Sequence, residues 1–229
     1  MFTLWFGWYG FNAGLTVGKH FSHVAAASMV SWNTSLAACS AGFGAYLFCY
    51  LFRINLDISF LANGVLCGLV AITGPCDVAS DTAAVCIGLT AGLVVYPASS
   101  KLLRWLYLDD PVDAIAVHAF SGLFGVIAVG FCRPNCQYLK ATGGMMPEQI
   151  RFCDPNHDRL MQMYAQAWGA FTIIWFTVTC SFFLWSFFVV SELVRSMEVP
   201  YLAQADDLLI KMTTPQPSAG QATSEASGP

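Results

Sequence analysis

DDPVDAIAVHAFSGLFG, residues 109–125, opens with acids and a proline and then runs apolar through Phe131. One histidine, His118, stands in the middle of that run. The opening has the chemistry of a helix start. Asp109 or Asp110 can accept from free backbone N–H groups, Pro111 suits the first helical position, and Asp113 is favoured near the positive end of the helix dipole. Helical spacing then predicts Ala114, Ser121, Gly122 and Gly125 on the same side as His118. Small residues on one face allow helices to approach closely, as membrane helices do. An ionisable side chain inside a membrane span is a functional site by default. The plain alternative is a histidine whose ring is satisfied by a neighbouring helix.

Composition decides the environment of that stretch. The chain has 229 residues, 56% of them hydrophobic and only 10% charged, against about 25% charged in soluble domains. Mean hydropathy is +0.58. The apolar segments are long and lack the two-residue alternation of barrel strands, so the fold class is all-α, a polytopic membrane protein. The net charge of −4 gives no reason to expect a nucleic-acid partner. No paired acids, nucleophile–base set or phosphate loop occurs, so neither an enzyme nor a cofactor is expected. The nine cysteines are scattered, about five of them inside apolar spans, and read as small membrane-helix residues. Met1 runs straight into an apolar stretch without a basic region, so no secretory signal is expected.

Six spans are predicted, at about residues 2–17, 24–52, 59–74, 82–106, 111–132 and 162–194. The first is short of the roughly 20 residues a crossing helix needs. The second exceeds the bilayer core and must tilt or protrude. The third stops at Gly74-Pro75 and is short enough for a re-entrant segment. Pro97 predicts a kink in the fourth. Between the fifth and sixth lies a polar loop, about 133–160. It holds Cys136, Cys153 and His157, with Cys132 at its edge; a disulfide among the three cysteines is favoured over zinc, and no metal site is assigned. His20 and His23 read as loop residues facing water. Asp77 and Asp81 read as turn and cap residues, and Glu192 as an interface residue paired with Arg195. The membrane region is 1–195. The tail, 196–229, is expected to be disordered from about 213, where Pro, Ser, Gly and Thr dominate. Lysines and arginines divide evenly between the two sides, and only the clustering of Lys101 and Arg104 leans toward a cytoplasmic side for the termini.

Three motifs carry a family resemblance: WFGWYGFNAG at 5–14, NGVLCGLVAITGPC at 63–76 and DDPVDAIAVHAFSGLFGVIAVG at 109–130. Asn33-Thr34-Ser35-Leu36-Ala37-Ala38 adds weaker support. In that order and spacing they resemble the ammonium transporter (Amt/Rh) family, its ammonium-transporter branch, over about residues 2–195. The family fold is eleven transmembrane helices, two five-helix halves in inverted orientation and a last long helix, assembled as trimers with one pore in each subunit. The resemblance therefore implies that this chain corresponds to helices six to eleven and is a partial form, six transmembrane helices making half of the inverted-repeat fold. It further implies ammonium or ammonia as substrate, the lipid bilayer as surroundings, a homotrimer, a plasma-membrane location, and both termini of the chain in the cytoplasm with the 133–160 loop outside.

Residue by residue, the resemblance places His118 on the family's second pore histidine. That histidine pairs with another, on the fifth helix, halfway down an apolar pore. Phe11 falls on one of two stacked phenylalanines at the outer mouth, Trp8 on a pore-lining tryptophan, and Asp110 and Asp113 on acids at the cytoplasmic start of the tenth helix. Leu15 departs from the pattern: the family has a serine there that receives ammonium. The tail also lacks the family's Gly-x-Asp and His-Gly signals after Val194. A chain without the first pore histidine is expected not to conduct by itself, and the alternative reading is a membrane protein that binds or senses ammonium without moving it. Phe11 and Trp8 also have a plainer reading, as packing residues or interface anchors.

The residue types suit the chemistry. A bare monovalent cation pays a Born cost on the order of 20 kcal/mol in a low-dielectric medium, less after relaxation. Neutral ammonia escapes most of it. Aromatic rings can hold the cation at a mouth, and a neutral imidazole can donate from one nitrogen and accept at the other inside.

Overall fold

The computed structural model describes residues 1–14, 24–132, 153–154 and 158–190. Leu15, His20, His23, Cys136, His157, Glu192, Arg195 and the tail lie outside the described residues. The chain divides into two units, Met1–Thr172 and Ile173–Pro229. Six helical rods occur among the described residues. They are α1 (Phe2–Gly14), α2 (Val24–Phe52), α3 (Ile58–Thr73), a fourth rod of α4 (Asp81–Thr90) and α5 (Tyr96–Trp105), a fifth containing α6 (Ser121–Ala128), and α7 (Arg159–Val190). Three are long and apolar enough to cross a membrane: Val24–Phe52, Asp81–Trp105 and Arg159–Val189.

The first unit is organised on α2, which packs against α1, α3 and α4. The cause is a stripe of alanines. Ala37, Ala41 and Ala45 recur at i, i+4 and i+8, and all three are completely buried. Glycines of both neighbours meet that stripe: a Cβ added at Gly64 or Gly68 of α3 would meet Ala45 or Ala41, and one at Gly88 or Gly92 of the fourth rod would meet the main chain of Ala37 or Ala41. Without side chains the backbones touch, and dispersion supplies the attraction that water would supply in a soluble core.

Polar groups are drawn into these contacts. Asn33, fully buried, donates to Cys76 O (3.0 Å) and Ala79 O (2.9 Å), so α2 holds the connection that follows α3. Asn12 of α1 donates to Thr34 Oγ1 of α2 at 3.0 Å, and Tyr9 and Ser35 hydroxyls lie 2.8 Å apart.

Helix ends differ from expectation in instructive ways. Ser80, not Asp81, caps α4: its hydroxyl accepts from Ala83 N at 3.3 Å, and Asp81 is the first helical residue. Both α2 and α5 end on a left-handed residue without glycine, Arg53 (φ 53°) and Tyr107 (φ 56°). Each makes the paired closing bonds of a Schellman turn, Ile54 N to Cys49 O at 2.9 Å in one and Leu108 N to Leu103 O at 3.0 Å in the other. The distortion predicted at Pro97 lies one turn earlier. Ala91–Val95 widens into a π turn before Tyr96, which accommodates the missing N–H and the ring's collision with the fourth preceding carbonyl. Cys132 is a free, buried cysteine, whereas Cys153 is disulfide-bonded, so the expected disulfide does not include Cys132.

Asp158 caps the start of α7: its carboxylate accepts from Leu160 N (3.0 Å) and Met161 N (3.1 Å). In the first unit its Met163 packs on Gly130. The described part of the second unit, Ile173–Val190, is helical, with Trp175, Phe182 and Trp185 exposed. Such apolar surface belongs in lipid or against other helices.

Candidate functional site

The start of the fifth rod is built by two aspartates. Asp110 O accepts from Asp113 N at 3.1 Å, closing a turn with Pro111 at its second position. Pro111 therefore occupies the turn position that its fixed φ favours, not the first position of the helix. The Asp110 carboxylate accepts from Ala114 N (2.7 Å), Ile115 N (2.8 Å) and Ala116 N (3.3 Å). Three of the four free donors at the helix start are thus satisfied by one side chain. Asp113 is left-handed, φ 55°, a conformation aspartate tolerates better than most residues. Its carboxylate accepts from Tyr96 Oη at 2.8 Å and Ser100 Oγ at 3.0 Å, both on α5.

The rod then runs as a π turn, Ile115–Phe120, before α6 begins at Ser121. His118 stands within it. The wider turn breaks the expected face. Ser121 and Gly125 are buried, with Gly125 pressed on Ala71 of α3, whereas Ala114 and His118 are exposed. α-Helical spacing put all four on one side; one extra residue in the turn separates them. No described residue hydrogen-bonds the imidazole of His118. Ser121 Oγ has no oxygen or nitrogen partner, and its neighbour is the Cys67 thiol.

Trp8 and Phe11 lie on α1, one turn apart. Trp8 is half-buried, and its indole N–H donates to Thr73 Oγ1 of α3 at 2.9 Å. Thr73 donates in turn to Leu69 O at 2.8 Å. Phe11 is 63% exposed. The structure thus joins Trp8 to α3 and Asp113 to α5. α3 is the common support, since both α1 and the fifth rod pack on it. A cleft of about 230 Å³ lined by Cys86, Thr90, Phe124 and Cys132 among others includes none of the five expected residues.

Tyr96 and Ser100 were not singled out from the sequence, and Thr73, Asn12 and Asn33 entered only as members of motifs, with no bonding role. The signal was available for the amides, because an Asn within an apolar span requires a partner. Tyr96 and Ser100 gave none, since their roles depend on which rod lies beside them.

A model of the Ammonium Transporter Family matches residues 1–200. The chain belongs to the ammonium transporter family. It is 40% identical to ammonium transporter Amt2 of Archaeoglobus fulgidus over 144 residues, 62% of this chain and 29% of that protein. It is 38% identical to ammonium transporter 3 of Dictyostelium discoideum over 128 residues, 56% of this chain and 30% of the relative. The matched region thus spans less than a third of the length of these relatives. Among solved structures, Saccharomyces cerevisiae Mep2 superposes with a TM-score of 0.58 at 24% identity, covering 73% of this chain and 37% of Mep2. The Candida albicans Mep2 mutant delta442 gives 0.55 at 24% identity, over 74% of this chain and 42% of the other. The fold is therefore that of the family's helical membrane region, and the protein is a multi-pass membrane protein.

Proposed function

We propose that this chain supplies one side of a pore that passes ammonium across the membrane as neutral ammonia. The observation that carries the reading is His118. An imidazole stands mid-way along an apolar rod, turned from the packed side, with no hydrogen-bond partner among the described residues. An ionisable ring left open in a membrane span calls for a partner or a permeant beside it. The family's other pore histidine, on the fifth helix of the complementary half, is that partner in this reading.

Phe11 and Trp8 form part of the outer mouth, where an exposed ring accepts the cation and the Thr73 bond holds the indole. At that mouth the cation hands its proton to solvent water, and ammonia enters because the low-dielectric path favours the neutral form. His118 then exchanges hydrogen bonds with the passing ammonia, donating from one nitrogen and accepting at the other. Asp110 and Asp113 are structural acids at the cytoplasmic start of the rod. The working form is a homotrimer in the plasma membrane with both ends of this chain in the cytoplasm, and the complementary helices are not among these 229 residues.

The test is ammonium uptake by the complete eleven-helix form carrying His118→Ala. Uptake should fall to background with expression unchanged. Full uptake would remove His118 from the path, and tight ammonium binding with no flux in the unsubstituted protein would assign the chain to sensing.

A further inference from the structure

Three rods converge on the turn at Asp110–Asp113. The fourth contributes Tyr96 and Ser100, whose hydroxyls hold the two oxygens of Asp113 at 2.8 and 3.0 Å. α3 contributes Asn63, whose amide donates to Val112 O at 3.4 Å. The fifth begins there, with Val117 N donating to Asp113 O at 2.8 Å. Tyr96 is completely buried and Ser100 only 3% exposed, so this anchor is rigid. Tyr96 also follows directly on the π turn Ala91–Val95, which places the two wide turns on either side of one hydrogen bond.

We infer that the Tyr96–Asp113–Ser100 clamp is a positioning device for His118. The far end of the rod is fixed independently, by Gly125 against Ala71 and by buried Ser121. Between two fixed ends the segment Ile115–Phe120 holds one residue more than α-helical winding would place there. That excess is what turns His118 away from the Ser121–Gly125 side. Release of the near end lets the segment rewind. At 3.6 residues per turn a shift of one residue is a rotation of about 100°, and α-spacing returns His118 to the packed side. Asp113 thus acts on the histidine through the backbone, without touching it. The importance of that orientation for transport rests on the pore reading above; the geometry itself does not.

The experiment reads orientation without flux. The 229-residue chain in nanodiscs is treated with diethylpyrocarbonate, and carbethoxylation of each of its four histidines is followed by peptide mass spectrometry. In the Tyr96→Phe/Ser100→Ala variant the rate at His118 should fall several-fold relative to the rates at His20, His23 and His157. Asp113→Gly should do the same, because glycine keeps the left-handed turn while removing the clamp, and it serves if the double variant does not fold. A relative rate at His118 equal to the unsubstituted chain's, in a variant of unchanged helix content, overturns the inference. Loss of transport in His118→Ala bears only on the pore reading, so the two fail separately.

Discussion

Asn33 donates both amide hydrogens to main-chain carbonyls, Cys76 O and Ala79 O, and has no exposed surface. Replacing it with leucine strands two carbonyls, and a buried unsatisfied polar group costs about 1–3 kcal/mol. Asn33→Leu should therefore lower the thermal midpoint in detergent by several degrees. An unchanged midpoint would mean that the connection after α3 holds without the amide. Cys76, in the same connection, makes a second residue-scale prediction. Burial, and then the Asp77 charge, push its thiol up from the ordinary 9.0 to about 12. A raised folded value gives stability that is full below the unfolded value near 9 and is lost as pH climbs from there toward 12. At pH 8 the thiol should resist iodoacetamide in the folded chain and react once the chain is denatured; alkylation of Cys76 at the same rate in both would contradict its burial. His118 was legible as a candidate, because an imidazole in an apolar run adds little to packing and costs desolvation. Its direction was not. Direction follows from a π turn, and nothing in IAVHAF distinguishes a π turn from an α-helix without knowledge of Tyr96 across the interface.

At the scale of elements, apolar runs were readable and their exact architecture less so. The run predicted at 24–52 is helical over Val24–Phe52, and the run at 82–106 over Asp81–Trp105. Length and hydropathy suffice for that, since a helix satisfies its own backbone. Caps were harder. The cap of the fifth rod was narrowed only to Asp109 or Asp110, Ser80 was passed over for Asp81, and Pro111 sits in a turn that only the left-handed Asp113 closes. The alanine–glycine contacts of α2 explain which rods lie side by side. Gly88→Ala and Gly92→Ala should each destabilise by about 1–3 kcal/mol, the usual cost of overpacking, because the methyl meets main chain of Ala37 or Ala41. Gly7→Ala and Gly10→Ala meet nothing within 4 Å and should be neutral or gain up to about 1 kcal/mol from helix propensity. Denaturation in mixed micelles separates the two pairs; equal effects would show that close approach does not set the α2–α4 packing.

For the molecule as a whole, the chain covers 29–30% of the length of the Archaeoglobus and Dictyostelium relatives and 37–42% of the two Mep2 chains. In the first unit, buried alanines and glycines hold the rods together, while Phe11 and His118 stand exposed. In the proposed reading, these outward residues meet their partners on the complementary helices. The decisive measurement is ammonium flux in proteoliposomes holding residues 1–229 alone, the same chain with the complementary five helices, and that pair with His118→Ala. The account predicts flux in the second preparation only. Flux from residues 1–229 alone, or undiminished flux with His118→Ala, would contradict it.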